Sequence, residues 1–132
     1  MTSDKVRIKK IELWQDFAQD QNASLHNIRI FLSNGESSKL FGAKVWKYKQ
    51  KILEIRSSIH HIDLKADERS SKVYGLNFQD KFSGDIDRWE LPSGNWFRRK
   101  IPDGETVIGV YGKVESFLEC ISSLGFITVK RN

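Results

Sequence analysis

Helical spacing, cysteine and long apolar runs are nearly absent from these 132 residues, and each absence excludes something. No window of a dozen residues carries apolar positions three and four apart with caps at its ends, which argues against amphipathic helices. The one cysteine, Cys120, has no partner for an internal disulfide, and the opening MTSDKVRIKKIELW holds no apolar core of signal-peptide length. The expected compartment is therefore reducing, the cytoplasm. No apolar run approaches the roughly 20 residues that cross a bilayer, so no membrane span is expected. The NAS sequon at Asn22 then reads as a plain polar loop.

An excess of one charge is missing too. The 22 basic residues give a net charge of +5, but 17 acidic residues lie among them, and the basic clusters at Lys9–Lys10, Lys47–Lys51 and Arg98–Lys100 are short. With neither a groove-reading motif nor a long basic stripe, no specific nucleic-acid partner is expected. No nucleophile elbow occurs, and GVYG at Gly109 to Gly112 lacks the lysine and the strand-loop-helix setting of a phosphate loop. Neighbours on a strand face opposite ways, so His60 and His61 should not share a metal, and His26 and Cys120 are remote from both. Asp85 and Asp87 would share one face of a strand near Glu90, but a strand edge offers fewer than the roughly six oxygens calcium takes, so pairing with Arg88 or neighbouring lysines is expected instead. No metal, no cofactor and no enzymatic activity are expected.

What the chain does have is alternation. KVRIKKIELW, LHNIRIFLS, KVWKYK, KILEI, IHHIDLKA, KVYGLNFQD, IDRWEL, NWFRRKI, TVIGVYG and LGFITVK each read as a short strand, separated by punctuation such as SNGE, KFSGD, LPSGN and IPDGE. Many short strands with glycine and proline turns imply an all-β sandwich, barrel or prism. One domain, 1–132, is expected, long enough to bury roughly two-thirds of its unfolded surface.

SSKLFG at Ser37 and SSKVYG at Ser70 look like a repeat, but one follows a finished strand and the other enters a new one. Apolar spacing gives a better repeat. Leu25-His-Asn-Ile28-Arg-Ile30, Val73-Tyr-Gly-Leu76-Asn-Phe78 and Ile121-Ser-Ser-Leu124-Gly-Phe126 share one pattern and start 48 residues apart. Each follows a candidate strand, which makes three units, each a small antiparallel sheet. Of the four tryptophans Trp14, Trp46, Trp89 and Trp96, at least two are expected in the core. Trp96 and Phe97 should face opposite ways, placing one aromatic beside Arg98 and Arg99, a mixture suited to a partner surface.

TVIGVYGKVESFLECISSLGFITV resembles the closing hairpin of the jacalin-related β-prism lectins, and NIRIFLSNGESSKLFG resembles their early strand-turn-strand. The resemblance covers most of residues 6 to 130 and implies three four-stranded Greek-key sheets around a pseudo-threefold axis. It also implies a sugar site at the last hairpin, around Gly112 and Ser122, where Glu115 or Glu119 could supply a carboxylate and Phe117 an apolar contact. Matching Leu124-Gly125-Phe126 to the family's aliphatic-glycine-aromatic run places Ser122 where the family has its sugar-binding aspartate. A serine accepts more weakly than a carboxylate, which takes two strong hydrogen bonds from vicinal hydroxyls. The expected function is thus a non-catalytic binding module for a protein partner or larger assembly, using Trp96, Arg98 and Arg99. Glycan binding through the last hairpin is the alternative.

Overall fold

The computed structural model describes residues 6–16, 24–42, 48–67, 69, 72–82, 84–115 and 120–130. Its ten strands are β1 (Ile8–Asp16), β2 (Leu25–Leu32), β3 (Phe41–Gly42), β4 (Tyr48–Glu54), β5 (Ile59–Asp67), β6 (Lys72–Asp80), β7 (Gly84–Glu90), β8 (Asn95–Lys100), β9 (Glu105–Glu115) and β10 (Cys120–Lys130). Among the described residues there is no helix, and so none long and apolar enough to cross a membrane. Nine of the ten strands coincide with or overlap the alternating runs of the sequence. The exception is the two-residue β3, too short to alternate.

The strands form three antiparallel sheets, ordered β3-β2-β1-β4, β7-β6-β5-β8 and β10-β9. The two four-stranded sheets share one topology. In each, the unit's first and second strands pair at the centre, the third lies beside the second, and the fourth beside the first. The third unit differs from the four strands implied by the family resemblance: among the described residues it has the central pair alone.

The 48-residue repeat has a structural cause. Leu25, Val73 and Ile121 are fully buried, and Ile28, Leu76 and Leu124 are buried three positions later. On a regular strand, residues three apart face opposite ways. One extra residue in each copy resolves the conflict: the pairing skips His26, Tyr74 and Ser122, each the second residue of its repeat. Each is a β-bulge that returns both aliphatic residues to the core. The first strand of each unit carries a second bulge, at Lys9, His60 and Ile108, which likewise turns Ile8 with Ile11, Ile59 with Ile62, and Val107 with Val110 inward.

The bulge at His60 also corrects the expectation that the two histidines face apart. Their rings meet edge to face with centroids 4.0 Å apart, and both reach Gln79, His60 Nδ1 lying 3.3 Å from its carbonyl and His61 Nδ1 3.1 Å from its amide oxygen. Among the described residues, no group of three histidine, cysteine, aspartate or glutamate side chains could hold a metal.

One core joins the sheets. Phe78 of β6 and Phe126 of β10 meet edge to face at 5.6 Å, on the last position of their repeats. Each fully buried aliphatic or aromatic side chain there contributes about 1.5–3 kcal/mol. Trp14 and Trp89 are buried, as the sequence led us to expect, and the Trp89 indole donates to Gln15 Oε1, tying the second sheet to the first. Trp46 lies outside the described residues.

Candidate functional site

The β9–β10 hairpin brings together Gly112, Glu115 and Ser122. Glu115 is the last residue of β9 and pairs with Cys120 across the mouth of the hairpin, while Gly112 pairs with Leu124. Ser122 is the bulge residue, and its hydroxyl donates to the Lys113 carbonyl at 3.3 Å. The bulge presses β10 onto β9 so closely that a Cβ on Gly112 would run into the Ser123 carbonyl oxygen. Phe117 and Glu119, also expected at this site, lie outside the described residues.

Sequence reasoning passed over Tyr111. It pairs directly with Gly125, its ring occupies the space a side chain there would need, and it is 63% exposed. Alternation puts Tyr111, Lys113 and Glu115 on one outward row of β9. The available signal was the glycine of ISSLGF directly opposite an aromatic residue. A row with a ring, an ammonium and a carboxylate can stack on a pyranose and hydrogen-bond its hydroxyls.

Strand β8 supplies the other expected residues, all exposed, and the register divides them. Trp96 and Arg98 pair with Lys65 and Asp63 and share the outer face of the second sheet, whereas Phe97 and Arg99 pair with Leu64 and Ile62 on the opposite face. Arg99 therefore does not join Trp96 and Arg98. Its guanidinium reaches the Phe126 carbonyl and Thr128 Oγ1, and so bridges the second and third sheets.

Trp96 is laid across its sheet. Its register row runs through Lys65 and Gly75 to Glu90, and a Cβ on Gly75 would stand 3.0 Å from Trp96 Cη2. The Lys65 ammonium sits 5.8 Å from the ring centroid and donates to Glu90 Oε2 at 2.9 Å and to the Leu91 carbonyl at 2.6 Å. That bond to Lys65, aided by a hydrogen bond from Trp96, holds the Glu90 carboxyl below the usual carboxylate range. Asp85 and Asp87 sit on the neighbouring β7, and their side chains lie outside the described part; Arg88 pairs with Glu90 at 3.4 Å.

No protein-family model and no curated protein matches the sequence. The likeness lies among solved structures. A prostate-specific WGA16 glycoprotein lectin superposes with a TM-score of 0.71 at 15% identity, over 100% of this chain and 96% of that one. Jacalin in complex with Gal-α(1-6)-Glc gives 0.70 at 10% identity, over 96% and 94%. Artocarpin in complex with mannotriose gives 0.67 at 13%, over 96% and 86%. The fold is the jacalin-like β-prism. In this β-prism the three paired first and second strands, β1–β2, β5–β6 and β9–β10, are the repeated unit, and the six bulges mark it. At such low identities the likeness is one of backbone arrangement, so the side chains at the β9–β10 mouth are this chain's own.

Proposed function

We propose that this β-prism is a non-catalytic carbohydrate-binding module that takes a mannose- or galactose-type sugar at the mouth of the β9–β10 hairpin. The observation that carries the reading is the end-to-end likeness to lectins solved with sugars bound. Glu115 would accept hydrogen bonds from ring hydroxyls, Gly112 and Ser122 would shape the backbone around them, and Tyr111 would offer its ring to an apolar sugar face. Phe117 and Glu119 belong to the same connection in sequence. A glycan array followed by titration with methyl mannoside and methyl galactoside tests the reading. Saturable binding is expected, weakened about tenfold in Glu115→Gln by loss of a charge-assisted hydrogen bond, and strengthened in Ser122→Asp. Failure of both the native chain and Ser122→Asp to bind any sugar would sink it.

The sequence ranks a protein partner first, and the likeness to sugar-complexed lectins reverses that order. One observation keeps the protein reading in view: β8 is an edge strand with all six residues exposed, Phe97 at 49%. If β8 docks on a protein, the chain co-elutes with it from native extract and Phe97→Ser abolishes the association. Elution at monomer mass under gentle conditions would remove this reading.

A further inference from the structure

The outer face of the second sheet holds a cleft of about 350 Å³, remote in sequence from the β9–β10 hairpin. Its floor is one register row, Arg88, Asn77, Asp63 and Arg98, running across all four strands from β7 to β8. Gln79 and Trp96 complete the lining. The volume falls at the small end of the range for small-molecule sites, room for one sugar unit.

The floor is built before any ligand arrives. Asp63 and Asn77 are buried, and Asn77 Nδ2 donates to Asp63 Oδ2 at 3.1 Å. Arg98 grips the same carboxylate with two bonds, Nε to Oδ1 at 2.8 Å and Nη2 to Oδ2 at 3.2 Å. Burial by itself would raise the Asp63 carboxyl, but the bonds from Arg98 and Asn77 outweigh it and keep the group ionised. Trp96 is held by Lys65 and Glu90 as described, and 37% of it remains exposed. The site therefore costs little to order on binding.

The geometry points to a second binding site here, for a saccharide carrying a uronate: the pyranose ring stacks on Trp96, its hydroxyls meet the amides of Asn77 and Gln79, and its carboxylate lies at Arg88 and Arg98. Three features support that chemistry. Among the charged residues that line the cleft, Arg88 and Arg98 outnumber Asp63, so an anion is favoured. Amide, guanidinium and indole groups line the cleft together with the Asp63 carboxylate and without one aliphatic side chain, which suits a hydroxyl-rich ring. The central strands β5 and β6 are paired on both sides, so a peptide backbone could add only along the outer edges of β7 and β8, not across the floor of the cleft. This inference stands independently of sugar binding at the hairpin.

Titration of the whole chain with methyl β-D-glucuronide, followed by the indole N–H resonance of Trp96, tests it. The resonance is assigned by its loss in Trp96→Phe. A saturable shift is expected, with methyl β-D-glucoside binding about tenfold more weakly because it lacks the carboxylate, and with affinity falling as salt is raised. Arg88→Gln should bring the two sugars level, whereas Arg88→Lys, which keeps the charge, should preserve most of the difference; unchanged melting of both variants separates the effect from unfolding. Glu115→Gln should leave the shift intact. The proposal is overturned by equal binding of glucuronide and glucoside, by no saturation with either, by loss of the shift in Glu115→Gln, or by a glutamate-rich peptide saturating the site where the glucuronide does not.

Discussion

Gly112 has no room for a side chain, because the Ser122 bulge brings the Ser123 carbonyl against its Cα. Gly112→Ala should therefore destabilise the chain by about 1–3 kcal/mol through overpacking against backbone that cannot rotate away. Urea denaturation checks this, and an unchanged midpoint would mean that β10 shifts freely. His61 makes a different kind of prediction. Burial first, then the neighbouring His60 and Arg98 charges, lower its affinity for a proton below the ordinary 6.5. The unfolded chain thus takes up this proton at a higher pH than the folded chain. Its contribution to stability is complete above pH 6.5 and is lost as pH falls from there toward the folded value. The urea midpoint of His61→Gln should accordingly decline less than that of the native chain between neutral and mildly acidic pH. Identical slopes would show that His61 titrates the same way in both states.

At the scale of the strand, the bulges decide which side chains reach the core. The pattern aliphatic, two others, aliphatic, one other, aliphatic looks like a loose strand signal, but its first interval is odd and needs one extra residue to keep both ends inward. Deleting Ser122 forces either Ile121 or Leu124 out, at about 1.5–3 kcal/mol for that side chain alone, whereas Ser122→Ala retains the bulge. The deletion should lower the denaturant midpoint far more than the alanine variant does. Equal effects would mean that the extra residue does not set the register. Arg99 works between elements: its bonds from β8 to Phe126 and Thr128 of β10 cross from one sheet to another. Arg99→Ala should cost about 1 kcal/mol, without altering sugar binding at the hairpin or at the Trp96 cleft. A change in binding would tie this strut to a site.

Across the whole molecule, the sheets close on one cluster in which Phe78 and Phe126 touch. Phe78→Ala should cost about 3–5 kcal/mol, transfer and cavity terms together. Because every sheet contributes to that cluster, unfolding should stay a single transition with matching calorimetric and van't Hoff enthalpies. A separate low-temperature step would show that the third sheet, which has two strands among the described residues, melts alone.

Strand type, three units, the 48-residue phase and two buried tryptophans were all legible in the sequence, because each depends on spacing along the chain. That Gly112, Glu115 and Ser122 share one hairpin follows from their closeness in sequence, whereas their choice as a sugar site rested on the family resemblance alone. The serines of SSKLFG and SSKVYG were less telling: their segments lead into the two-residue edge strand β3 and the central strand β6, which hold different places in their sheets. What tertiary structure alone decided is how distant strands align. That Trp96 crosses Lys65 and Gly75 to Glu90, that Asp63 meets Arg98, and that Arg99 turns away from both follow from the register among β5, β6, β7 and β8. Register is set by the burial of every strand at once. A bulge of one residue reverses which face a side chain takes, so no local stretch holds that information by itself.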